Sequence, residues 1–216
     1  MIPSMSSEPG LRERKKQQTR AAIQEASARL FAARGFDAVT VADVAREAEV
    51  SVGTVFNYFP AKEDLFYGQM QDFGIALVDA VRERASGESV LGAFRSFVLD
   101  GTEALADAER ADAIARAMRT VSDSASLRAR EREIVARSTR ALAALIAEES
   151  GSAAGDLEPL VVANALIGAQ RGLVEYVHEA VLAGTRGRSL ASQARSACER
   201  AFAPLERGLA GYAVKP

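Results

Sequence analysis

A chain of 216 residues that is 48% apolar can bury a sizeable core, and its formal net charge of −2 excludes a protein that coats nucleic acid through an overall basic surface. Its single cysteine, Cys198, excludes an internal disulfide framework and any multi-cysteine zinc site, and is expected as a small buried thiol. Aliphatic content dominated by Ala and Leu, with no Trp, favours helix over sheet, so an all-α fold is expected.

Residues 1–11 lack the charged and apolar regions of a signal peptide and read as a flexible tail. A first helix follows over 12–34, with Ile23, Ala26, Leu30 and Phe31 at helical spacing and Gly35 as its stop. Thr40 then precedes a stripe of Val41, Val44, Ala45 and Ala48, with Asp43 placed to complete a capping box. Ser51 is the cap of a third short helix that carries Val55 and Phe59 inward, and Pro60 stops it. Only Glu49 and Val50 separate these two short helices, which is the spacing of a helix-turn-helix. A fourth helix starts near Lys62.

Beyond Asp72 come longer amphipathic segments, over 72–86, 88–106, 110–122, 126–149, 156–183 and 188–210, broken by Gly and Ser clusters. None reads as a strand. Pro204 should kink or restart the last one. The most apolar stretch, 160–169, is too short to span a bilayer, so no membrane partner and a cytoplasmic location are expected. The domain boundary is placed near residue 70, giving a domain over 12–70 and a second over 71–216.

The run from Thr40 to Phe66, TVADVAREAEVSVGTVFNYFPAKEDLF, resembles the DNA-binding signature of the TetR family, and the likeness extends upstream through ARLFAARGFDAVTV. It covers about the first third of the chain. The resemblance implies a homodimeric, ligand-responsive transcriptional regulator, by default a repressor, that grips an inverted repeat in double-stranded DNA and has no enzymatic activity, cofactor or metal. It also implies that Thr40 and Lys62 meet phosphates.

The residues themselves fit that reading. With Val55 and Phe59 turned inward, Val52, Thr54, Asn57 and Tyr58 are free to face a groove, and Gly53 lets backbone approach DNA. Asn57 suits an adenine edge and Val52 a thymine methyl. Ser51 caps the reading helix. Five basic residues, Arg12, Arg14, Lys15, Lys16 and Arg20, concentrate positive charge at the start of the first helix, with Lys15 taken as a phosphate contact. Three positions depart from the family pattern. Glu49 stands where glycine is usual, so the turn is expected to take a different local shape; Phe56 replaces a frequent tyrosine; and Ala61 replaces a capping serine.

In the C-terminal two thirds the resemblance is weak. The segment from Leu157 to Leu182 is apolar nearly all round, which implies burial on more than one side. Ala165, Gly168, Ala169 and Gly172, with Ala201 and Leu205 on the last segment, are the candidate dimer interface; completion of a monomeric core is the alternative. Polar groups within apolar stretches, Asn164, Gln170, Arg171 and His178, with Arg119 beside Met118 and with Phe94 and Phe97 as walls, are candidates for the pocket of an unidentified small-molecule effector. For any one of the polar ones, an internal hydrogen-bond network or the dimer interface is expected as partner ahead of ligand contact. Glu175 and His178 have the spacing of a di-iron ligand pair, but the chain holds one histidine where such a centre needs two motifs. A helical interaction protein with a non-functional helix-turn-helix is the other rival reading, prompted by Glu47, Glu49, Glu63 and Asp64.

Overall fold

The computed structural model describes residues 10–153 and 155–209, so the tail expected over 1–11 lies, but for its last two residues, outside the described part. The described residues form nine α-helices and one 3-10 turn, with no strand. In chain order these are α1 (Leu11–Arg34), α2 (Val41–Glu47), α3 (Val52–Tyr58), α4 (Lys62–Arg82), α5 (Val90–Gly101), the 3-10 turn (Glu103–Ala106), α6 (Ala108–Asp123), α7 (Ala125–Ser150), α8 (Glu158–Leu182) and α9 (Gly187–Leu209). The all-α expectation holds. Two compact units, Met1–Gln69 and Met70–Pro216, divide inside α4.

The first unit is built on one small core: Ile23 and Ala26 of α1, Val39, Val44 and Ala45 around α2, Val55 and Phe59 from α3, and Leu65 from α4. A chain of aromatic contacts, Phe31 to Phe36 to Phe66 to Tyr67, with ring centroids 5.2 to 6.1 Å apart, closes its other side. The second unit packs α8 between α7 and α9, with α5 and α6 laid against that layer. Its buried core is aliphatic apart from Cys198, Phe94 and Phe202, and the two rings lie 5.9 Å apart. Cys198, fully buried, belongs to this core, and burial pushes its thiol pKa up.

Three segments differ from their sequence-based outlines. α4 runs unbroken from Lys62 to Arg82, with no proline between them, and so joins the helix that starts near Lys62 to the segment outlined over 72–86. A Cβ at Gly74 would lie 2.7 Å from the Ser138 hydroxyl of α7, so glycine permits that approach. The 88–106 segment divides at Thr102, whose buried hydroxyl donates to the Leu99 carbonyl at 2.6 Å and turns the chain into the 3-10 segment. Pro204 does not restart the last helix; α9 runs through it to Leu209.

One buried charge fastens the second unit. The Arg84 side chain, wholly removed from solvent, pairs with Glu149 at 2.6 Å. It also donates to the carbonyls of Val81 at 2.7 Å and Glu88 at 3.0 Å. The pair joins the end of α4 to the end of α7.

Candidate nucleic-acid interface

The site begins with two caps. Thr40 accepts from the Asp43 amide at 3.1 Å, while the Asp43 carboxylate takes both the Thr40 amide at 3.0 Å and the Thr40 hydroxyl at 2.7 Å. Those bonds, with Arg34 at 3.5 Å and Arg46 beside it, hold the Asp43 pKa at about 2, well below the ordinary 3.8. In this arrangement the Thr40 hydroxyl donates to Asp43 while its oxygen caps α2. Ser51 caps α3 by accepting from the Thr54 amide at 3.0 Å.

The turn between α2 and α3 is closed by Glu49 N–H to Arg46 C=O at 3.2 Å and Val50 N–H to Ala45 C=O at 2.9 Å. This is a Schellman arrangement, whose penultimate residue must be left-handed. Glu49 takes that conformation, with φ 53°, and is the sole described residue other than glycine with positive φ. The different turn shape expected from its side chain does not occur. The hydrogen bonds and the packing of Ala45 and Val50 outweigh a strain of roughly 1–2 kcal/mol.

On α3 the burial alternates sharply for a seven-residue helix. Val55 is fully buried and Phe59, its C-cap, nearly so, whereas Val52, Gly53, Phe56 and Asn57 face solvent and Thr54 and Tyr58 are half-buried. The structure thus places Val52, Gly53 and Asn57 on one outward face. Phe56, 45% exposed, shares it. The family resemblance makes Phe56 a tyrosine lacking its hydroxyl, whereas its place on α3 makes it a large apolar residue where the helix cannot bury it.

The cations fall into two groups. Arg12, Arg14, Lys15 and Lys16 on the first turns of α1 are exposed, whereas Arg20 is half-buried with its guanidinium 5.0 Å above the Phe59 ring. Lys62 lies half-buried at the start of α4, its ammonium 4.3 Å above the Phe36 ring and 3.4 Å from the Asp37 carbonyl. The cap missing at Ala61 is partly supplied from the other side, since the Asp64 carboxylate accepts the Ala61 amide at 3.1 Å.

In the second unit a cavity of about 250 Å³ lies between α4 and α7. Ile75, Val78 and Ile134 give it apolar walls, and Gln71, Asp79, Arg137 and Ser138 polar ones. None of the eight residues chosen from sequence for effector contact lines it. Phe94 is inside the core against Phe202; Phe97 is half-buried beside Phe73 at 5.2 Å; Met118, Gln170 and His178 are half-buried; and Arg119, Asn164 and Arg171 are exposed, the Asn164 amide donating back to Leu160 at 2.7 Å.

The candidate interface residues are more coherent. Gly168 and Gly172 are exposed on α8, and a Cβ at either would meet nothing within 4 Å; Ala165 and Ala169 are half-buried beside them. Large apolar side chains are exposed at its N-cap and along it, with Leu157 at 71%, Val161 at 62% and Leu182 at 59%. On α9, Ala201 is exposed and Leu205 half-buried. Among the described residues no helix is long and apolar enough to cross a membrane, and no cluster of three or more His, Cys, Asp or Glu is gathered for a metal.

Comparison with known proteins agrees with this geometry. The family model described as bacterial regulatory proteins, tetR family, matches residues 23–67, and one described as the MftR C-terminal domain matches residues 88–209. The HTH-type transcriptional regulator TcmR of Streptomyces glaucescens is 35% identical over 92 residues, a stretch that is 41% of this chain and 41% of TcmR. The Mycobacterium tuberculosis protein MftR, named for the regulation of mycofactocin biosynthesis, is 27% identical over 71% of this chain and 77% of its own length. Among solved structures, native NalD, a secondary repressor of a multidrug efflux pump in Pseudomonas aeruginosa, superposes with a TM-score of 0.53 at 20% identity, covering 86% of this chain and 96% of NalD. With a short-turn pair of helices that leaves one face of α3 open, and with family matches over both units, the chain belongs to the TetR family of bacterial transcriptional regulators, DNA-binding proteins rather than enzymes.

Proposed function

We propose that this chain acts in the cytoplasm as a homodimeric repressor that binds an inverted-repeat operator in double-stranded DNA and releases it when a small molecule enters the C-terminal unit. The division of α3 into a buried face at Val55 and Phe59 and an open face at Val52, Gly53 and Asn57 carries the reading. A helix held from behind in this way can present its outer side chains to base edges in a major groove. Gly53 supports close approach: a Cβ there would meet only the Ser51 hydroxyl, at 3.7 Å, so nothing inside the protein demands glycine.

The large apolar side chains exposed on α8, together with the open positions at Gly168 and Gly172, support dimerisation through this helix. Inverted symmetry in the operator follows from a twofold dimer. The effector would be a largely apolar molecule with at least one polar group, its body against Ile75, Val78 and Ile134 and its polar group toward Arg137 or Ser138.

Two substitutions test the division of labour at the DNA. Lys62→Ala should weaken specific and non-specific duplexes alike and reduce the salt dependence by roughly one phosphate contact per subunit. Asn57→Ala should instead lose preference for the cognate operator, by about 1–3 kcal/mol per half-site for a bidentate contact. If Lys62→Ala changes operator preference while Asn57→Ala weakens every sequence equally, the two roles are reversed. For the effector, Gly74→Val would push into Ser138 and the cavity, so it should retain DNA binding and lose release. Linkage requires that the effector bind the operator-bound protein more weakly than the free protein; equal affinities would dismiss the allosteric part.

A further inference from the structure

Val52 and Phe56 stand one helical turn apart on α3, 41% and 45% exposed, and both side chains are purely apolar. At this i, i+4 spacing their Cβ atoms lie about 5–6 Å apart on one face. Asn57 and Gly53 share that face, which is the one the DNA-binding reading turns toward a groove. Phe56 has no hydroxyl or amide, so it can neither donate to a phosphate nor pair with a base edge. The one apolar group that the major groove displays is the C5 methyl of thymine.

We infer that Val52 and Phe56 together form an apolar reading surface that selects adjacent thymine methyls in each operator half-site, an inference that rests on the DNA-binding reading above. Phe56 is then a specificity-determining residue and not a weakened tyrosine. Successive bases on one strand rise by about 3.4 Å, so two side chains about 5–6 Å apart span one to two base steps. Asn57, next to Phe56, is left to read an adjoining base through its amide. The half-site is therefore read by apolar contact on one side and by hydrogen bonding on the other.

The test uses the full chain and the duplexes it enriches from a random-sequence pool. In an enriched duplex each thymine is replaced singly by deoxyuridine, which removes only the methyl, and binding is followed by fluorescence anisotropy. At one or two adjacent thymines per half-site the wild type should lose affinity by about fourfold, the value of one buried methyl group. Phe56→Ala should bind the thymine duplex more weakly and lose most of its sensitivity to uracil, whereas Phe56→Tyr, which keeps the ring, should retain it. Because the altered group is on the DNA, the first arm needs no protein variant. A wild type that binds its enriched duplex with unchanged affinity after every uracil replacement overturns the inference and leaves the DNA-binding reading standing, as does Phe56→Ala with undiminished uracil sensitivity. A wild type that enriches no sequence overturns both.

Discussion

Glu49→Gly should stabilise the helix-turn-helix, although it deletes a side chain from a natural turn. At φ 53° the Glu49 backbone carries roughly 1–2 kcal/mol of strain that glycine does not feel. Against this, glycine adds about 0.5–1 kcal/mol of chain entropy to the unfolded state. The side chain is exposed, so no packing is lost, and the net gain is about 0.5–1 kcal/mol. For a chain of this length that amounts to roughly 1–4 °C in thermal unfolding. Three variants separate strain from charge: Glu49→Ala removes the carboxylate and keeps the strain, Glu49→Asn removes the carboxylate and tolerates the left-handed region better, and Glu49→Gly relieves both. Stability should rank Gly above Asn above Ala, with Ala close to wild type, while all three should gain DNA affinity at low salt by a similar factor, since each removes a negative charge near the duplex. Equal stabilisation by Glu49→Ala and Glu49→Gly would show that charge repulsion and not backbone strain sets the cost of Glu49.

Ala61→Ser should complete the cap that Asp64 already half-forms and add about 0.5–1 kcal/mol in a denaturant titration. Gly168→Arg should yield monomers by sedimentation with unchanged helical circular dichroism, because a side chain there meets nothing in its own protomer; a tight dimer would remove this face from consideration. Arg84→Ala should destabilise the chain by about 3–5 kcal/mol by leaving Glu149 unpaired, and Arg84→Met with Glu149→Leu should recover much of the loss. Asp43 has its folded pKa depressed to about 2 from 3.8, so its contribution is complete above about pH 4 and is lost as pH falls through about 2. The stability difference between wild type and Asp43→Asn should accordingly be largest near neutrality and close over that interval.

Local chemistry accounts for what could be read from the residues in order. Thr40, Asp43 and Ser51 announce their caps because the bonds span three residues, and Val55 and Phe59 announce their inward face because a short helix offers one register. Glu49 shows the limit of such reasoning: a residue's own preference indicated another turn, but the surrounding bonds and packing decided it. On α8 the pattern could not separate inner from outer faces, since Val162, Leu166 and Leu173 are buried while Leu157, Val161 and Leu182 are exposed. Asn164 and Arg171 therefore looked enclosed by apolar neighbours and are at the surface. Phe94 as a core partner of Phe202, and the α4 to α7 cavity, depend on contacts between residues far apart in the chain that no local period reports.

Cys198 has a consequence of another kind. Its sulfur is sealed within the core of the second unit, and burial keeps it in the protonated form that reacts slowly with electrophiles. Any thiol introduced at the surface would be the one that a labelling reagent reaches first. A probe tethered at position 57, or beside Gly168, could then report groove contact or subunit contact without stripping the native cysteine. The native sulfur would meanwhile serve as a clock, since its slow modification counts the occasions on which the core opens.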